Sequence, residues 1–244
     1  MISLGMGWFH LKKPKSGLNS RIFSKWVLMK DLRLISFDVG GTLVDHSFID
    51  SVWNVGIPKL YAARRGVSFK EAKEQVAKEY AVVGRDDIRW YIPQYWFDRF
   101  EFDICPRELL GSLRHEVKVY PEVSSVLENL RRLYDLVIIS NAPEDILSYE
   151  IEGLRHHFKR VFSSVTDFDQ IKKTPGMYAE VCTALGVRPG QVLHIGDDLY
   201  GDFIAPRESG MHAFHLDRSK KERDDLTLAD LRELQEFLAE AQRL

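Results

Sequence analysis

Short runs of apolar, β-branched and aromatic residues recur along the chain from Arg33 onward. They are LISF (34–37), DLVIIS (135–140), RVFSSV (160–165), QVLHIG (191–196) and MHAFHL (211–216). Runs of this kind are typical of strands that are buried on both faces, and the longer amphipathic segments between them predict helical crossovers. The pattern therefore predicts an α/β fold with a doubly wound, Rossmann-like parallel sheet and helices on both faces.

Local signals place several helix starts. Ser68 and Glu71 have capping-box spacing, so we expect a helix over 68–82. Pro121 is predicted to open the next core helix as a first-turn proline. Thr227 is predicted to cap a final helix in which Leu231, Leu234 and Leu238 share one face.

The stretch between the first two strands contains no comparable strand pattern and is predicted to be helical, over about 48–65, 68–82, 86–102 and 106–115. We therefore expect a helical cap of residues 47–116 to be inserted into a core of residues 31–46 and 117–244. Within the aromatic segment 89–100, helical spacing favours Trp96, Phe97 and Phe100 as the lobe's own core rather than as ligand contacts.

Composition narrows the class of protein. The 244 residues are 45% hydrophobic and 29% charged, as in ordinary globular proteins, and the net charge of −2 gives no basic footprint for nucleic acid. Cys105 and Cys182 are far apart, so we expect two reduced thiols in a cytoplasmic protein.

Residues 1–30 form a basic, partly apolar segment with six Lys or Arg and no acidic residue. The segment lacks the continuous apolar centre of a signal peptide. It is interpreted as an extension before the domain, or as the result of an upstream start codon ahead of Met29; a membrane-surface segment is the alternative. We expect no stable membrane association, and the sequence does not indicate an oligomeric state.

Four polar motifs stand at or just past strand ends, which is where open parallel sheets bind ligands. They are Asp38 with a Gly-Gly-Thr turn, Ser140-Asn141, the lysine pair 172–173 before a predicted helix at Pro175, and GDDLYGD (196–202). Each motif is common by itself. Their recurrence at the same edge of successive strands predicts one site.

The charges of this site predict its cofactor. Asp38, Asp197 and Asp202 would repel one another at one sheet edge, and Mg²⁺ is the cation that suits carboxylate and phosphate oxygens. A lysine and a hydroxyl on the opposite side would complete a cradle for a phosphate.

These motifs resemble those of the haloacid dehalogenase superfamily over about residues 33–240. DVGGTL (38–43) is similar to the family's first motif, Ser140 to its second, KKTPGMY (172–178) to its third with Lys172 in the lysine position, and Gly196, Asp197 and Asp202 to its fourth. The helical insertion resembles the family's first-type cap, which selects the substrate.

The resemblance implies a phosphatase that acts on small phosphorylated molecules through an aspartyl-phosphate at Asp38. It implies that Ser140 and Lys172 are catalytic and that Thr42 and Asn141 bind substrate. Mg²⁺ would be held by Asp38, the Gly40 carbonyl and Asp197, with Asp202 in support.

Gly40 departs from the family pattern, because most relatives have a second aspartate there that serves as general acid/base. Three interpretations stay open: a phosphatase with weakened proton transfer, a haloacid dehalogenase, and a low-activity regulatory or binding protein. The retained acids favour the first, since dehalogenases of the family have lost the metal-binding motif. A phosphonate-cleaving enzyme would also need a lysine in the cap, for which Lys59 is a weak candidate.

Overall fold

The computed structural model describes residues 29–219 and 226–241. Residues 1–30 were predicted to be an extension, and all but the last two of them lie outside the described ranges. Six strands form one parallel sheet in the order β3-β2-β1-β4-β5-β6. The strands are β1 Leu34–Phe37, β2 Asp135–Ser140, β3 Arg160–Ser163, β4 Val192–Gly196, β5 His212–Leu216 and β6 Thr227–Leu228. The predicted α/β fold with a doubly wound, Rossmann-like sheet is confirmed.

The central strands are buried because their side chains pack into two separate apolar layers, one on each face of the sheet. Ile35 and Phe37 of β1 point into a large layer with helix α6 (Val123–Leu130) and helix α11 (Leu231–Ala241). Leu34 and the neighbouring Val137 point into the layer on the opposite face, under helix α9 (Pro175–Leu185). Burial on both faces is why these strands read as continuous apolar runs.

Between β1 and β2 the described chain is helical. The helices are α1 Ser47–Ser51, α2 Ile57–Arg65, α3 Phe69–Val83, α4 Pro93–Phe100 and α5 Pro106–Leu113, with a π-helical turn at Val52–Gly56 and 3₁₀ turns at Ile88–Tyr91 and Arg114–Glu116. We call residues 47–116 the helical lobe. The Ser68 capping box is present as expected, because Ser68 Oγ accepts from Glu71 N and the Glu71 carboxylate accepts from Ser68 N at 3.0 Å.

The helical lobe has its own apolar core. Trp96, Phe97 and Phe100 are all buried there, as their spacing predicted. The core also receives Ile146 from helix α7 (Glu144–Glu150), which follows β2. The lobe therefore packs on the end of the sheet where β1 and β2 finish.

The two connections between the helical lobe and the sheet lie side by side. Val44 forms an antiparallel bridge with Val119. Asp45 N donates to Lys118 O at 2.9 Å, and Tyr120 N donates to Leu43 O at 3.0 Å. The chain thus leaves and rejoins the core at one short ladder.

Three sequence expectations about helix and strand limits were wrong. Helix α6 begins at Val123 rather than Pro121. β3 ends at Ser163, because its hydroxyl accepts from Thr166 N and caps the short helix α8 (Ser164–Phe168). Thr227 lies in β6, pairing with His215, and α11 begins only at Leu231.

The remaining short helix is α10 (Ala205–Glu208), preceded by a π-helical turn at Leu199–Ile204 that holds the end of the fourth motif. Further 3₁₀ turns lie at Arg155–His157 and Pro189–Gln191. Across residues 29–219 and 226–241, no helix is both long and apolar enough to cross a membrane.

Candidate active site

Asp38 is the first residue after β1 and lies at the carboxyl edge of the sheet. Its amide donates to Ile195 O of β4 at 2.9 Å, which continues the strand ladder through the residue. Its side chain is buried, and its Oδ1 accepts from Lys173 Nζ at 2.7 Å. The carboxylate is therefore fixed by its backbone and by an ion pair.

The two glycines after Asp38 have different roles. Gly41 has a φ of +73°, and a Cβ built there would lie 2.1 Å from Asp197 Oδ2. Only glycine fits this position, because any side chain would collide with an acid of the site. Gly40 is not in the left-handed region, and a Cβ there would lie 3.6 Å from Nδ1 and Cε1 of His46, which is ordinary van der Waals contact.

Three carboxylates converge on this turn. One oxygen each from Asp38, Asp197 and Asp202 lies within 4.8 Å of the others. Hard oxygen donors at this spacing fit Mg²⁺. The structure thus brings together the acids that the sequence grouped.

Asp202 differs from the other two acids because the chain already satisfies its oxygens. It forms a close ion pair with Lys173, and its Oδ1 also accepts from His194 Nε2 at 2.9 Å. Its Oδ2 accepts from Asp198 N at 3.1 Å. Asp202 therefore holds neighbouring groups in place, whereas Asp197 is less buried and faces a cavity.

Next to Asp202 lies a buried series of hydrogen-bonded side chains that the sequence did not reveal. His194 Nδ1 lies 2.8 Å from Ser36 Oγ, and the two residues are register partners in β4 and β1. With Asp202 ionised, His194 Nε2 carries the proton and Nδ1 accepts from Ser36. Both residues are fully buried inside apolar strand runs, so the only sequence signal was a polar residue at the same register on two adjacent strands.

The prediction that Lys172 is the lysine of the site was wrong, because the neighbouring Lys173 occupies that position. Lys172 is exposed and lies 3.8 Å from Asp86 of the helical lobe. Lys173 is 1% exposed and contacts both Asp38 and Asp202. The next residue, Thr174, caps α9 by accepting from Met177 N at 3.2 Å, and adjacent side chains of an extended segment point to opposite sides.

Burial and the surrounding charges set the protonation of the site. Burial raises the pKa of Asp38 to about 7, with Lys173 opposing the rise and the other carboxylates adding to it. Burial alone would lower the pKa of Lys173, but the nearby carboxylates of Asp202 and Asp38 raise it. Burial and the carboxylate of Asp202 raise the pKa of Asp197. Three acids facing one lysine thus leave an excess of negative charge that a divalent cation would neutralise.

The remaining predicted residues lie at the same edge. Ser140 is buried at the end of β2, and its hydroxyl accepts from Ala142 N at 3.4 Å. Asn141 is half-buried, and its Oδ1 accepts from Ser164 Oγ at 3.1 Å. Thr42 is fully buried, and its Oγ1 has no hydrogen-bond partner within the described ranges.

Arg218 is a further residue that the motifs did not indicate. Its guanidinium donates to Gly41 O at 3.1 Å and Thr42 O at 2.7 Å, which fixes the turn after Asp38. It also stacks 3.6 Å from the ring centroid of Tyr120 and lies 2.8 Å from the buried Glu122 carboxylate. A residue beyond β5 thus holds the turn after Asp38 in place.

Two cavities meet at His46. The larger, of about 900 Å³, lies between the helical lobe and the segment after β2. The smaller, of about 410 Å³, contains Asp197 and Arg218. His46 lines both, next to the space that a side chain at position 40 would occupy.

Comparison with known proteins agrees with this geometry. Residues 32–210 match the family model described as haloacid dehalogenase-like hydrolase. The chain therefore belongs to the haloacid dehalogenase-like hydrolases.

Several individual relatives are named as phosphatases or nucleotidases. The GMP/IMP nucleotidase YrfG of Escherichia coli is 26% identical over 180 residues, which cover 70% of this chain and 77% of that protein. The phosphoserine phosphatase of Thermus thermophilus is 32% identical over 136 residues, which cover 52% of this chain and 53% of that protein. A haloacid dehalogenase-type (HAD) phosphatase structure from Thermococcus onnurineus is 27% identical, covers 85% of this chain and 98% of that chain, and has a TM-score of 0.72.

Proposed function

We propose that the protein is a Mg²⁺-dependent phosphomonoesterase that uses Asp38 as its nucleophile. The observation that carries the proposal is the convergence of Asp38, Asp197 and Asp202 around the buried Lys173. The nucleotidase and phosphoserine phosphatase relatives support the substrate class.

The first half-reaction is transfer of the phosphoryl group. One Asp38 oxygen attacks phosphorus, the bond to the ester oxygen breaks with its electron pair, and an aspartyl-phosphate forms. Lys173 holds the carboxylate in place from one side and supplies positive charge for the phosphoryl oxygens. Ser140 and the Asn141 amide are the further donors at the edge of β2.

The acids suit a hard divalent cation, with Asp38, the Gly40 carbonyl and Asp197 as its holders and Asp202 in support. When bound, Mg²⁺ neutralises charge on the transferring group. Gly40 retains the carbonyl that this role needs, because a side-chain change does not remove it.

The second half-reaction is hydrolysis of the aspartyl-phosphate, in which water attacks phosphorus and Asp38 is released. Gly40 has no group to activate that water or to protonate the departing ester oxygen. We therefore infer weak turnover of substrates with poor leaving groups. With substrates whose leaving group departs easily, we infer that the covalent form accumulates, because its hydrolysis is then the slow step.

The decisive experiment measures phosphate release over a panel of phosphomonoesters, with Mg²⁺ or with excess chelator, and chloride release from chloropropionate. Asp38→Asn should abolish phosphate release, while Asp103→Asn, an exposed acid in the helical lobe, should not. Asp197→Asn should weaken the response to Mg²⁺ more than Asp202→Asn, whose main loss should be the position of Lys173.

Three results would contradict the proposal. Phosphate release by pure Asp38→Asn protein would exclude the covalent route, and full activity in chelator would exclude the metal. Chloride release without phosphate release would restore the dehalogenase interpretation. Absence of all turnover, with Mg²⁺ still bound, would indicate a regulatory or binding protein on this scaffold.

A further inference from the structure

His46 lies immediately before the helical lobe, but its side chain does not serve the helix that it precedes. It occupies the N-cap position of α1, where a polar side chain usually accepts a hydrogen bond from a free backbone amide. The imidazole makes no such bond, and Asp45 Oδ1 accepts from Ser47 N at 2.9 Å instead. Among the described residues, none hydrogen-bonds to either nitrogen of the ring. Both nitrogens of this exposed imidazole are therefore available to a ligand or to water.

The imidazole lies beside the space that an aspartate at position 40 would occupy. A Cβ built on Gly40 would be 3.6 Å from His46 Nδ1 and 3.6 Å from its Cε1. The carboxylate of an aspartate lies one bond beyond its Cβ, so Nδ1 adjoins the space that such a carboxylate would fill. An imidazole nitrogen can donate or accept a proton, as a carboxyl group can. His46 thus brings a proton-carrying group to the place where Gly40 has none.

The same ring borders both sides of the site. It lines the larger cavity together with Asn141 and the smaller cavity together with Asp197. Burial and the carboxylate of Asp202 raise the pKa of Asp197, and the charge of His46 opposes this rise, so the ring is close enough to act on an acid of the site. The imidazole therefore adjoins both spaces through which a leaving group or a water can reach this edge of the sheet.

Several other cavity side chains that could carry a proton are held by the protein. Tyr80 Oη and Tyr91 Oη in the larger cavity each donate to a backbone carbonyl, at 3.3 Å and 3.2 Å. His215 in the smaller cavity donates from Nε2 to Asp197 O at 3.0 Å, and its Nδ1 is buried. His46 differs from them because nothing within the described ranges holds its ring nitrogens.

We propose that His46 is a catalytic residue that transfers the protons which the residue at position 40 cannot transfer. This inference rests on the proposed phosphomonoesterase function. In the first half-reaction the imidazolium gives a proton to the ester oxygen, while the bond from that oxygen to phosphorus breaks and its electron pair goes to oxygen. In the second, the neutral imidazole takes a proton from the attacking water. The bond between phosphorus and the Asp38 oxygen breaks, its electron pair returns to the carboxylate, and the imidazolium is restored.

His46 is a partial substitute for a carboxyl group at position 40. Its ring comes from the segment before α1 and not from the turn after Asp38, and it is exposed, so water competes for its nitrogens. The weak turnover inferred for poor leaving groups is then the turnover that His46 supports.

The experiment separates the two proton transfers by substrate and by kinetic parameter. For this reaction kcat/KM reports the steps up to formation of the aspartyl-phosphate, whereas kcat also includes its hydrolysis. A primary alkyl phosphate needs a proton on its leaving oxygen, but acetate leaves from acetyl phosphate without one. Both substrates are assayed with Mg²⁺ in wild type, His46→Gln and His46→Ala. His115→Gln is the matched control, because His115 is an exposed histidine of the helical lobe that lines neither cavity.

His46→Gln should lower kcat/KM for the alkyl phosphate by about tenfold or more, less than the roughly 10²–10⁴-fold of a well-placed general acid/base. For acetyl phosphate, kcat/KM should stay at the wild-type value while kcat falls, because hydrolysis of the aspartyl-phosphate slows. Added imidazole should restore part of the alkyl phosphate rate to His46→Ala, since this position is open to solvent. His115→Gln should behave as wild type.

Two results would overturn this inference and leave the proposed function standing. The first is unchanged kcat/KM for the alkyl phosphate, with unchanged kcat for acetyl phosphate, in His46→Gln. The second is an equal fall of kcat/KM for both substrates that imidazole does not reverse, because a distorted site affects every substrate alike. Failure of wild type to hydrolyse acetyl phosphate would overturn the proposed function, and the proton-transfer role of His46 with it.

Discussion

Introducing an aspartate at position 40 is the sharpest test of how the proposed site transfers protons. In Gly40→Asp the new Cβ would lie 3.6 Å from the imidazole of His46, and the backbone there is not left-handed. The substitution should therefore fold, in contrast to Gly41→Ala, whose Cβ would overlap the Asp197 carboxylate. Any change in rate can then be assigned to chemistry rather than to misfolding.

The size of the effect follows from the proton-transfer role. A positioned general acid/base contributes about 10²–10⁴-fold, or roughly 3–5 kcal/mol of barrier. The new carboxylate would contact the His46 ring, whose nearest atoms lie 3.6 Å from the new Cβ, so it would have little room to adjust its position. We therefore expect a gain near the lower limit, about 10²-fold, for alkyl phosphates. Aryl phosphates should gain much less, because a phenolate needs little protonation to leave.

The assay is kcat for one alkyl and one aryl phosphate in wild type, Gly40→Asp and Gly40→Asn. The asparagine variant has the same shape without an acidic proton, so it controls for packing. Adding His46→Gln to Gly40→Asp shows whether the carboxylate acts alone or through the imidazole. The reasoning fails if wild type already cleaves both esters equally fast and Gly40→Asp changes neither, or if Gly40→Asn gives the same gain.

Two further predictions follow from buried groups. Lys173→Met should reduce turnover by about 10²-fold or more, because it removes the cation that pairs with both Asp38 and Asp202, whereas Lys172→Met should change kcat little. The opposite ranking would restore the sequence-based assignment. Burial raises the pKa of Glu150 from 4.5 to about 8, and the charge of Asp38 adds to this rise. Folding therefore favours the protonated carboxyl group. The free energy of unfolding should consequently fall as the pH rises from 4.5 towards 8. Glu150→Gln should remove this loss, so it should stabilise the protein by about 3 kcal/mol near pH 7 and by little near pH 4.5. Urea unfolding at both pH values measures the difference. An equal effect at the two pH values would contradict this prediction.

The sequence predicted the sheet well because the central strands are buried on both faces. Such strands have no solvent-facing positions, and their apolar runs were visible from Leu34 onward. The edge strand β6 has only two residues and therefore no periodic signal. Thr227 was consequently assigned to a helix cap when it belongs to the sheet.

Within the site, the motifs located the right segments of the chain, but they did not predict which side chains point into the site. Spacing to Pro175 and Tyr178 selected Lys172, but the side chain that reaches Asp38 is decided by which side of the extended segment faces the sheet edge. His46 and Arg218 could not be found from motifs, because their roles depend on folding distant segments against the turn after Asp38. Contacts of this kind are not readable from local pattern.

The short ladder at Val44 and Val119 has a consequence for how this protein can change. The two ends of the lobe are already paired side by side. A short turn could therefore join them directly, and inserting the lobe between them costs little loop-closure entropy. Under the proposed function, the chemistry at Asp38 and the lobe wall of the larger cavity thus occupy separate stretches of chain that share a single junction. A different lobe grafted between these two valines would place a new cavity wall over the same sheet edge, so the cavity can change by exchange of one segment while the sheet stays the same.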